Sequence, residues 1–348
     1  MATTGNNVFD MASKERNRNN MNARKLLGNY CEEHILNREE ILKLLSLPDD
    51  DIAALIESAH ALRKKYKGNK VHIQLLTNVR SGNCSQDCAY CAQSCRSSAD
   101  IEKYDRISDE QLFADDLLVK EHSLSRHCIG LSGIRFSDDE IAELAERIKT
   151  MKENGTHICC SIGFLTEKQA IMLKEAGLDR INHNLNSSRR FYPQICSTHT
   201  YEQRINNLRM LKSIGFELCC GGIIGMGESN EDIADMLLDI REISPESVPI
   251  NFLLPIKGTR LGDGEHTPLS TAHCLKVLCT ARLLLPRADI RCAAGREVYF
   301  SGSEDMLFKI VDSIFAQGYL TEKGQGINDT VALIRSLGYD TEIESEVH

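Results

Sequence analysis

The sequence predicts an α/β fold, a (β/α)8 TIM barrel preceded by an N-terminal helical extension. Two observations predict it. From about residue 70 onward, eight short apolar, often β-branched runs recur, at 71–77, 127–132, 157–163, 180–186, 217–225, 248–254, 289–295 and 312–318. Between them lie longer amphipathic segments such as SDDEIAELAERIKTMKENG, TEKQAIMLKEAG, YEQRINNLRMLKSIG and NEDIADMLLDIREI, several ending in the glycine that helix C-termini prefer. Strands alternating with helices imply a parallel sheet. Eight such units over roughly 250 residues close most simply into a barrel, whose active site lies at the C-terminal ends of the strands. A doubly wound open sheet is the structural alternative.

In chain order, residues 1–20 are polar, rich in Asn and without periodicity, and read as a tail. Residues 21–69 form the helical extension. ILNREEILKLLSL and DDDIAALIESAHALRKKY space apolar residues by three and four, and the aspartates before the second run suit a helix N-terminus. Residues 70–320 are the barrel, and residues 321–348 a last helix and an acidic tail.

The 348 residues are 42% hydrophobic and 26% charged, an ordinary globular balance. Fifty acidic against 41 basic residues give a net charge of −9, which excludes nonspecific nucleic-acid binding as the main activity, because phosphate needs a basic surface. No apolar run reaches the ~18 residues of a membrane span, and the N-terminus lacks the apolar stretch of a signal peptide. The expectation is a cytoplasmic enzyme. Its fourteen cysteines then read as metal or catalytic sites rather than as a disulfide framework. Some, such as Cys274 and Cys279 in the helical stretch HCLKVLCTARLLL, read as small core residues.

Cys84, Cys88 and Cys91 follow the first strand with the spacing C-x3-C-x2-C. Three thiolates on one short loop can hold three irons of a cubane cluster and leave the fourth open. A structural zinc ion wants four ligands, and only Cys95 offers a local fourth. With Tyr90 before the last cysteine, the loop resembles the signature of radical S-adenosylmethionine enzymes. The resemblance implies a [4Fe-4S] cluster whose open iron chelates S-adenosylmethionine. One electron then cleaves the sulfonium to methionine and a 5′-deoxyadenosyl radical, which takes hydrogen from an unactivated carbon. GGIIGMGE at 221–228 looks like the segment that lines the methionine end of that cofactor, which brings in Gly221, Gly222, Gly225 and Glu228. Alone, those glycines read as a tight turn. Arg204 in HTYEQR is the candidate partner of the cofactor carboxylate, though taken singly it reads as a solvated helix residue.

A second set lies inside the strands. Cys128, Cys159 and Cys219 fall in the second, third and fifth, and Arg291 and Cys292 in the seventh. Side chains alternate along a strand, so one cysteine per strand at similar height converges inside a barrel. The competing reading is inert buried cysteine. RHCIGLSG, HICCSIG, INHNLNSSRRFYP, STHTYEQR, ELCCGGIIGMGES, PESVPINFLLPIKGT and IRCAAGRE together resemble the biotin synthase family over roughly residues 70–320. The resemblance implies radical insertion of sulfur into dethiobiotin, with two S-adenosylmethionine cleavages and an auxiliary iron-sulfur cluster as the sulfur source. Its ligands map onto Cys128, Cys159, Cys219 and Arg291. It further implies an electron donor such as flavodoxin or ferredoxin, and a homodimer.

The chain departs from the family pattern. Cys160, Cys220 and Cys292 each follow a mapped ligand position. Neighbours on a strand face opposite sides, so both members of a doublet do not ligate unless a bulge intervenes. The expectation is that Cys292 competes with Arg291 as fourth ligand, which would allow a larger, four-iron auxiliary cluster; the plain [2Fe-2S] form held by Arg291 is the competing reading. The ureido ring of dethiobiotin has donors and an acceptor, which side-chain amides match. The resemblance assigns Asn184 and Asn251 to that ring, with Asn182 in the same motif. Asn186 stands where the family has an Asp that contacts the cofactor ribose. The other enzyme reading is a related radical protein, a cofactor maturase or isomerase. A nonenzymatic iron-sulfur carrier or zinc module has little use for a closed barrel.

Overall fold

The computed structural model describes residues 35–264, 268–320 and 322–341. The 1–20 tail, the start of the extension and most of the acidic terminus lie outside the described residues. The extension contributes α1 (Arg38–Leu45) and α2 (Ile52–Lys67). The barrel then runs β1 (His72–Arg80), α3 (Asp109–Glu121), β2 (Arg126–Leu131), α4 (Asp138–Glu153), β3 (Ile158–Ser161), α5 (Glu167–Glu175), β4 (Arg180–Asn182) and α6 (Tyr201–Ser213). It continues with β5 (Glu217–Cys219), β6 (Gly222–Ile224), α7 (Asn230–Ile243), β7 (Ser247–Phe252), α8 (Thr271–Leu284), β8 (Asp289–Cys292) and β9 (Ser313–Ala316). A last helix, α9 (Ile327–Ser336), follows.

The strands pair in the order β5-β4-β3-β2-β1-β9-β8-β7-β6, and β5 also meets β7. That contact closes the sheet, and β5 with β6 makes one interrupted barrel strand, so the eight expected barrel strands are present in parallel register. Each helix α3 to α8 starts at a Ser or Thr (Ser108, Ser137, Thr166, Thr200, Ser229, Ser270) whose hydroxyl accepts a backbone N–H three residues on. Such caps satisfy the orphan amides of the first turn and fix where each loop hands over to its helix.

Two strands are cut short or broken by turns the sequence did not predict; the others differ from the expected runs only at their ends. β4 ends at Asn182, and the chain beyond it turns through Asn186 at φ 68°. The expected strand at 217–225 is broken between Cys219 and Gly222. The break is steric. A Cβ on Gly221 would overlap the Pro249 carbonyl oxygen, and one on Gly222 the Met236 sulfur. At the same place Leu185 and Asn186 donate their amides to the Gly221 carbonyl at 3.0 and 3.1 Å. Gly221→Ala is expected to cost at least about 2 kcal/mol, because backbone, not a flexible side-chain end, meets the added methyl. The urea midpoint should fall at unchanged slope.

The floor of the barrel is tied to the extension. Asp312, just before β9, is wholly buried between Arg282 of α8 and Arg63 of α2. Arg282 pairs with one carboxylate oxygen, and Arg63 Nε stands 3.6 Å from the other. Both guanidinium groups also cap carbonyl ends: Arg63 donates to Val311, Gly68 and Lys70, and Arg282 to Ala288, Pro286 and Ile310. No helix among the described residues is long and apolar enough to cross a membrane.

Candidate active site in the mouth and interior of the barrel

The loop after β1 carries Cys84, Cys88 and Cys91. It is folded on itself by backbone bonds: Cys84 N to Gln93 O at 3.0 Å, Cys95 N to Cys84 O at 2.7 Å and Cys91 N to Cys88 O at 3.1 Å. Cys91 lines a cavity of about 270 Å³ at the C-terminal ends of the strands. Cys88 and Cys91 also line a neighbouring surface depression. Burial pushes the Cys91 thiol up to about 11. Among the described residues, the one trio of metal-ligating side chains with all ligand atoms within 4.8 Å is Cys88, Cys196 and His199. The loop sulfurs thus span more than the shell of a single ion, where sulfurs stand about 3.8 Å apart. That spread suits a multi-iron cluster.

The same cavity is lined by Tyr90, Asn182, Asn184, Asn186, Arg204 and Asn251. Arg204 reaches it from α6. Its guanidinium donates to the Tyr192 hydroxyl, to the Asn184 carbonyl at 2.9 Å and to His199 Nε2 at 2.9 Å. None of these partners is a carboxylate, so among the described residues this cation at the mouth has no acidic side chain as its partner. Asn186 donates to the Tyr90 hydroxyl at 2.7 Å. Asn184 accepts from Gly221 N at 2.9 Å, leaving its amide nitrogen for a ligand. Asn251 donates to Gly222 O at 3.1 Å and accepts from Ala294 N at 3.2 Å. His183 also lines the cavity, its ring packed edge-on to Phe164 and its Nε2 buried without a hydrogen-bond partner. Burial first, then the Arg204 charge, holds that imidazole well below the usual range, hence neutral.

The Gly-rich segment is closely packed. Gly221, Gly222 and Gly225 are pressed against Pro249, Met236 and Leu269 respectively, so packing requires them small. Glu228 accepts from the Gly225 and Met226 amides, both at 2.7 Å, and locks the turn. Of this segment, Ile223 is the residue that lines the cavity.

Deeper inside, Cys128, Cys159 and Cys219 cluster with Ala293 and Phe315. Register brings them together: Cys128 is the direct partner of Cys159, and Asn182 of Cys219. Arg291 faces them, its Nη1 3.8 Å from the Cys219 sulfur and its guanidinium 5.1 Å from the Phe315 ring centroid. Ser313 and Ser247 accept from Arg291, both at 3.1 Å. The Cys128 thiol lies 3.1 Å from Gln74 Oε1, and Asn182 Nδ2 lies 3.3 Å from the Cys219 sulfur. Burial opposes charge on Cys128. The hydrogen bond from Cys159 and the Arg291 charge outweigh it, so Cys128 titrates below the ordinary thiol range. Cys159 is pushed up to about 12, first by that same bond. One thiolate is therefore favoured within the trio, that of Cys128, although Cys219 is the sulfur in contact with the guanidinium.

Cys292 does not join this group. It is fully buried in the outer core between sheet and helices, as are Cys160 and Cys220. No bulge intervenes: Arg291 and Cys292 continue the β7 register opposite Pro249 and Ile250. Strand alternation turns Arg291 inward toward the trio and Cys292 outward into the outer core. Cys274 and Cys279 are core residues of α8, and Cys95 is exposed. Cys196 and His199 were not among the expected site residues. They sit beside Cys88, and the C-x2-H spacing just before the Thr200 cap was the signal for them.

Comparison with known proteins places this geometry. Residues 78–240 match the radical SAM superfamily, and residues 249–340 match the biotin and thiamin synthesis associated domain. Biotin synthase of Sulfurihydrogenibium sp. is 37% identical over 320 residues, covering 90% of this chain and 95% of its own. A biotin synthase of Thermus thermophilus is 41% identical over 313 residues, covering 89% and 95%. Among solved structures, methylornithine synthase superposes with TM-score 0.80 at 20% identity over 91% of this chain and 97% of its own. The FeFe-hydrogenase maturase of Carboxydothermus hydrogenoformans gives 0.78 at 15% identity over 95% and 82%. These two likenesses show the barrel fold alone. With such identity to the biotin synthases sustained along nearly its whole length, the chain belongs to the biotin synthase family of radical S-adenosylmethionine proteins.

Proposed function

We propose that the chain converts dethiobiotin to biotin. The observation that carries this reading is the buried trio Cys128, Cys159 and Cys219 facing Arg291, joined to the mouth cavity through Asn182 and Tyr319. Asn182 lines the cavity and bonds Cys219, and Tyr319 lines it and packs on the trio.

Cys84, Cys88 and Cys91 would hold the [4Fe-4S] cluster, and Arg204, paired with no carboxylate among the described residues, would take the carboxylate of S-adenosylmethionine. Cys128, Cys159, Cys219 and Arg291 would hold the auxiliary cluster; the outward place of Cys292 favours the two-iron form. Bound there, these groups supply a 5′-deoxyadenosyl radical, with an electron from a donor such as flavodoxin or ferredoxin, and the sulfur that enters the substrate.

The chain's own residues do the rest. Thiols must lose protons to bind metal, and Arg291 compensates the negative charge this leaves in a dry interior. The free amide of Asn184 and the spare hydrogen-bonding capacity of Asn251 suit the ureido ring. The enclosing strands hold substrate at the trio and exclude water that would quench a reactive carbon centre.

Anaerobically reconstituted protein, given dethiobiotin, S-adenosylmethionine and a reductant, should yield biotin. Cys128→Ala should still form 5′-deoxyadenosine and yield none. Biotin from that variant overturns the sulfur-source assignment. Wild-type protein that cleaves the cofactor without making biotin overturns the substrate and favours a maturase-like or isomerase-like relative.

A further inference from the structure

Cys196 and His199 have no part in the reading above, yet they are built against one of its ligands. The Cys196 sulfur lies 3.9 Å from the Cys88 sulfur and 3.2 Å from His199 Nδ1. All three ligand atoms fall within 4.8 Å of one another. A tetrahedral zinc ion, with Zn–S of about 2.3 Å and Zn–N of about 2.0 Å, sets sulfurs about 3.8 Å apart and sulfur from nitrogen about 3.5 Å. The spacing therefore fits one ion without moving the backbone. Cys196 is 3% and His199 5% exposed, so two of the three ligands are already packed in place.

We propose that Cys88, Cys196 and His199 form a binding site for one divalent transition-metal ion of the zinc class, available when the loop cluster is absent. Two thiolates and an imidazole are the donor set such ions prefer. The two thiolates neutralise the ion's charge, and their protons leave to solvent on binding. The entry path is the surface depression lined by Asp87, Cys88 and Ser197, which leaves room for water as the fourth ligand. The Asp87 carboxylate accepts from Ser197 and Thr198, and its Oδ1 also from the Cys196 thiol at 3.3 Å, a bond that ends when Cys196 gives up its proton to the ion.

Ligation also rearranges the histidine. Its Nε2 faces the donor Arg204 Nη2, so in the metal-free chain the ring proton sits on Nδ1, 2.9 Å from Gln86 Oε1. An ion on Nδ1 moves that proton to Nε2, where the Tyr192 hydroxyl, 2.8 Å away, accepts it and Arg204 loses a partner. Occupancy thus engages Cys88 and loosens Arg204 together. Exclusion of the loop cluster rests on the reading of Cys88 as its ligand; the ion site itself does not.

The test uses full-length protein stripped of clusters by chelation and given one equivalent of Zn²⁺. X-ray absorption at the zinc edge should show two sulfurs, one imidazole nitrogen and one oxygen. Three or four sulfurs would put the ion among the other cysteines and overturn the proposal. Cys196→Ser should weaken binding, read by competition with a chromophoric chelator, by about tenfold or more, while reconstituting with the same iron and sulfide as wild type. Unchanged affinity in Cys196→Ser overturns it as well. Zinc-loaded wild type should take up no [4Fe-4S] cluster at the loop, and Cys196→Ser should be released from that block. If zinc shows the two-sulfur shell and the cluster still loads, the ion site stands and the assignment of Cys88 fails.

Discussion

Cys91→Ala is expected to abolish 5′-deoxyadenosine formation, and biotin with it, while the protein keeps its circular dichroism and melting temperature. The position belongs to an irregular loop, so truncation removes no strand pairing and little core. It removes one of the three thiolates proposed to hold the cubane, and the one that lines both the mouth cavity and the outer depression. A two-thiolate loop cannot hold three irons of a cubane. The measurement is product analysis by chromatography beside Mössbauer spectra of anaerobic protein. The spectra should lose the cubane component and keep the auxiliary one. Turnover by this variant would end the interpretation of the loop. The contrast with Cys128→Ala is informative: one loses cofactor cleavage, the other only its use.

Arg282→Ala should be the most destabilising single change in the barrel floor, by about 3–5 kcal/mol, as for removal of one member of a buried ion pair. The loss has three parts. Asp312 keeps its charge with the Ile290 amide at 2.8 Å and the Arg63 guanidinium at 3.6 Å as remaining support. The carbonyls of Pro286, Ala288 and Ile310 lose their donor. A large side-chain volume at full burial is vacated. Burial, its largest cause, already raises the Asp312 carboxyl above the usual range. A raised carboxyl binds its proton more readily in the folded chain than in the unfolded one, so acidification favours the fold. Without Arg282 the carboxyl rises further, and the deficit against wild type should narrow as pH falls. Urea titrations at two pH values check both the size and the sign. Arg282→Met combined with Asp312→Asn should recover part of the loss, because no charge is then left stranded.

Much of this architecture was legible because local rules and global fold agree. The strands could be read from β-branched runs, and the helices from amphipathic spacing that several times ends in glycine. The interruption after Cys219 was not legible, because it depends on the Pro249 carbonyl of a strand far along the chain. The inward trio could be guessed from one cysteine per strand. Whether Arg291 or Cys292 faced it could not be decided until the β7–β8 register was known, since a shift by one residue exchanges the faces. Cys196 meets Cys88 across 108 residues of sequence, through a loop and a helix cap that carry no periodic signal.

The doublets Cys159–Cys160 and Cys219–Cys220 place two sulfurs of contrasting surroundings one peptide bond apart, the first toward the lumen and the second in hydrocarbon. Each outward thiol shares the expression history, oxygen exposure and purification of its inward neighbour. It therefore serves as a built-in reference against which alkylation or isotope incorporation at the inward sulfur can be normalised within a single tryptic peptide.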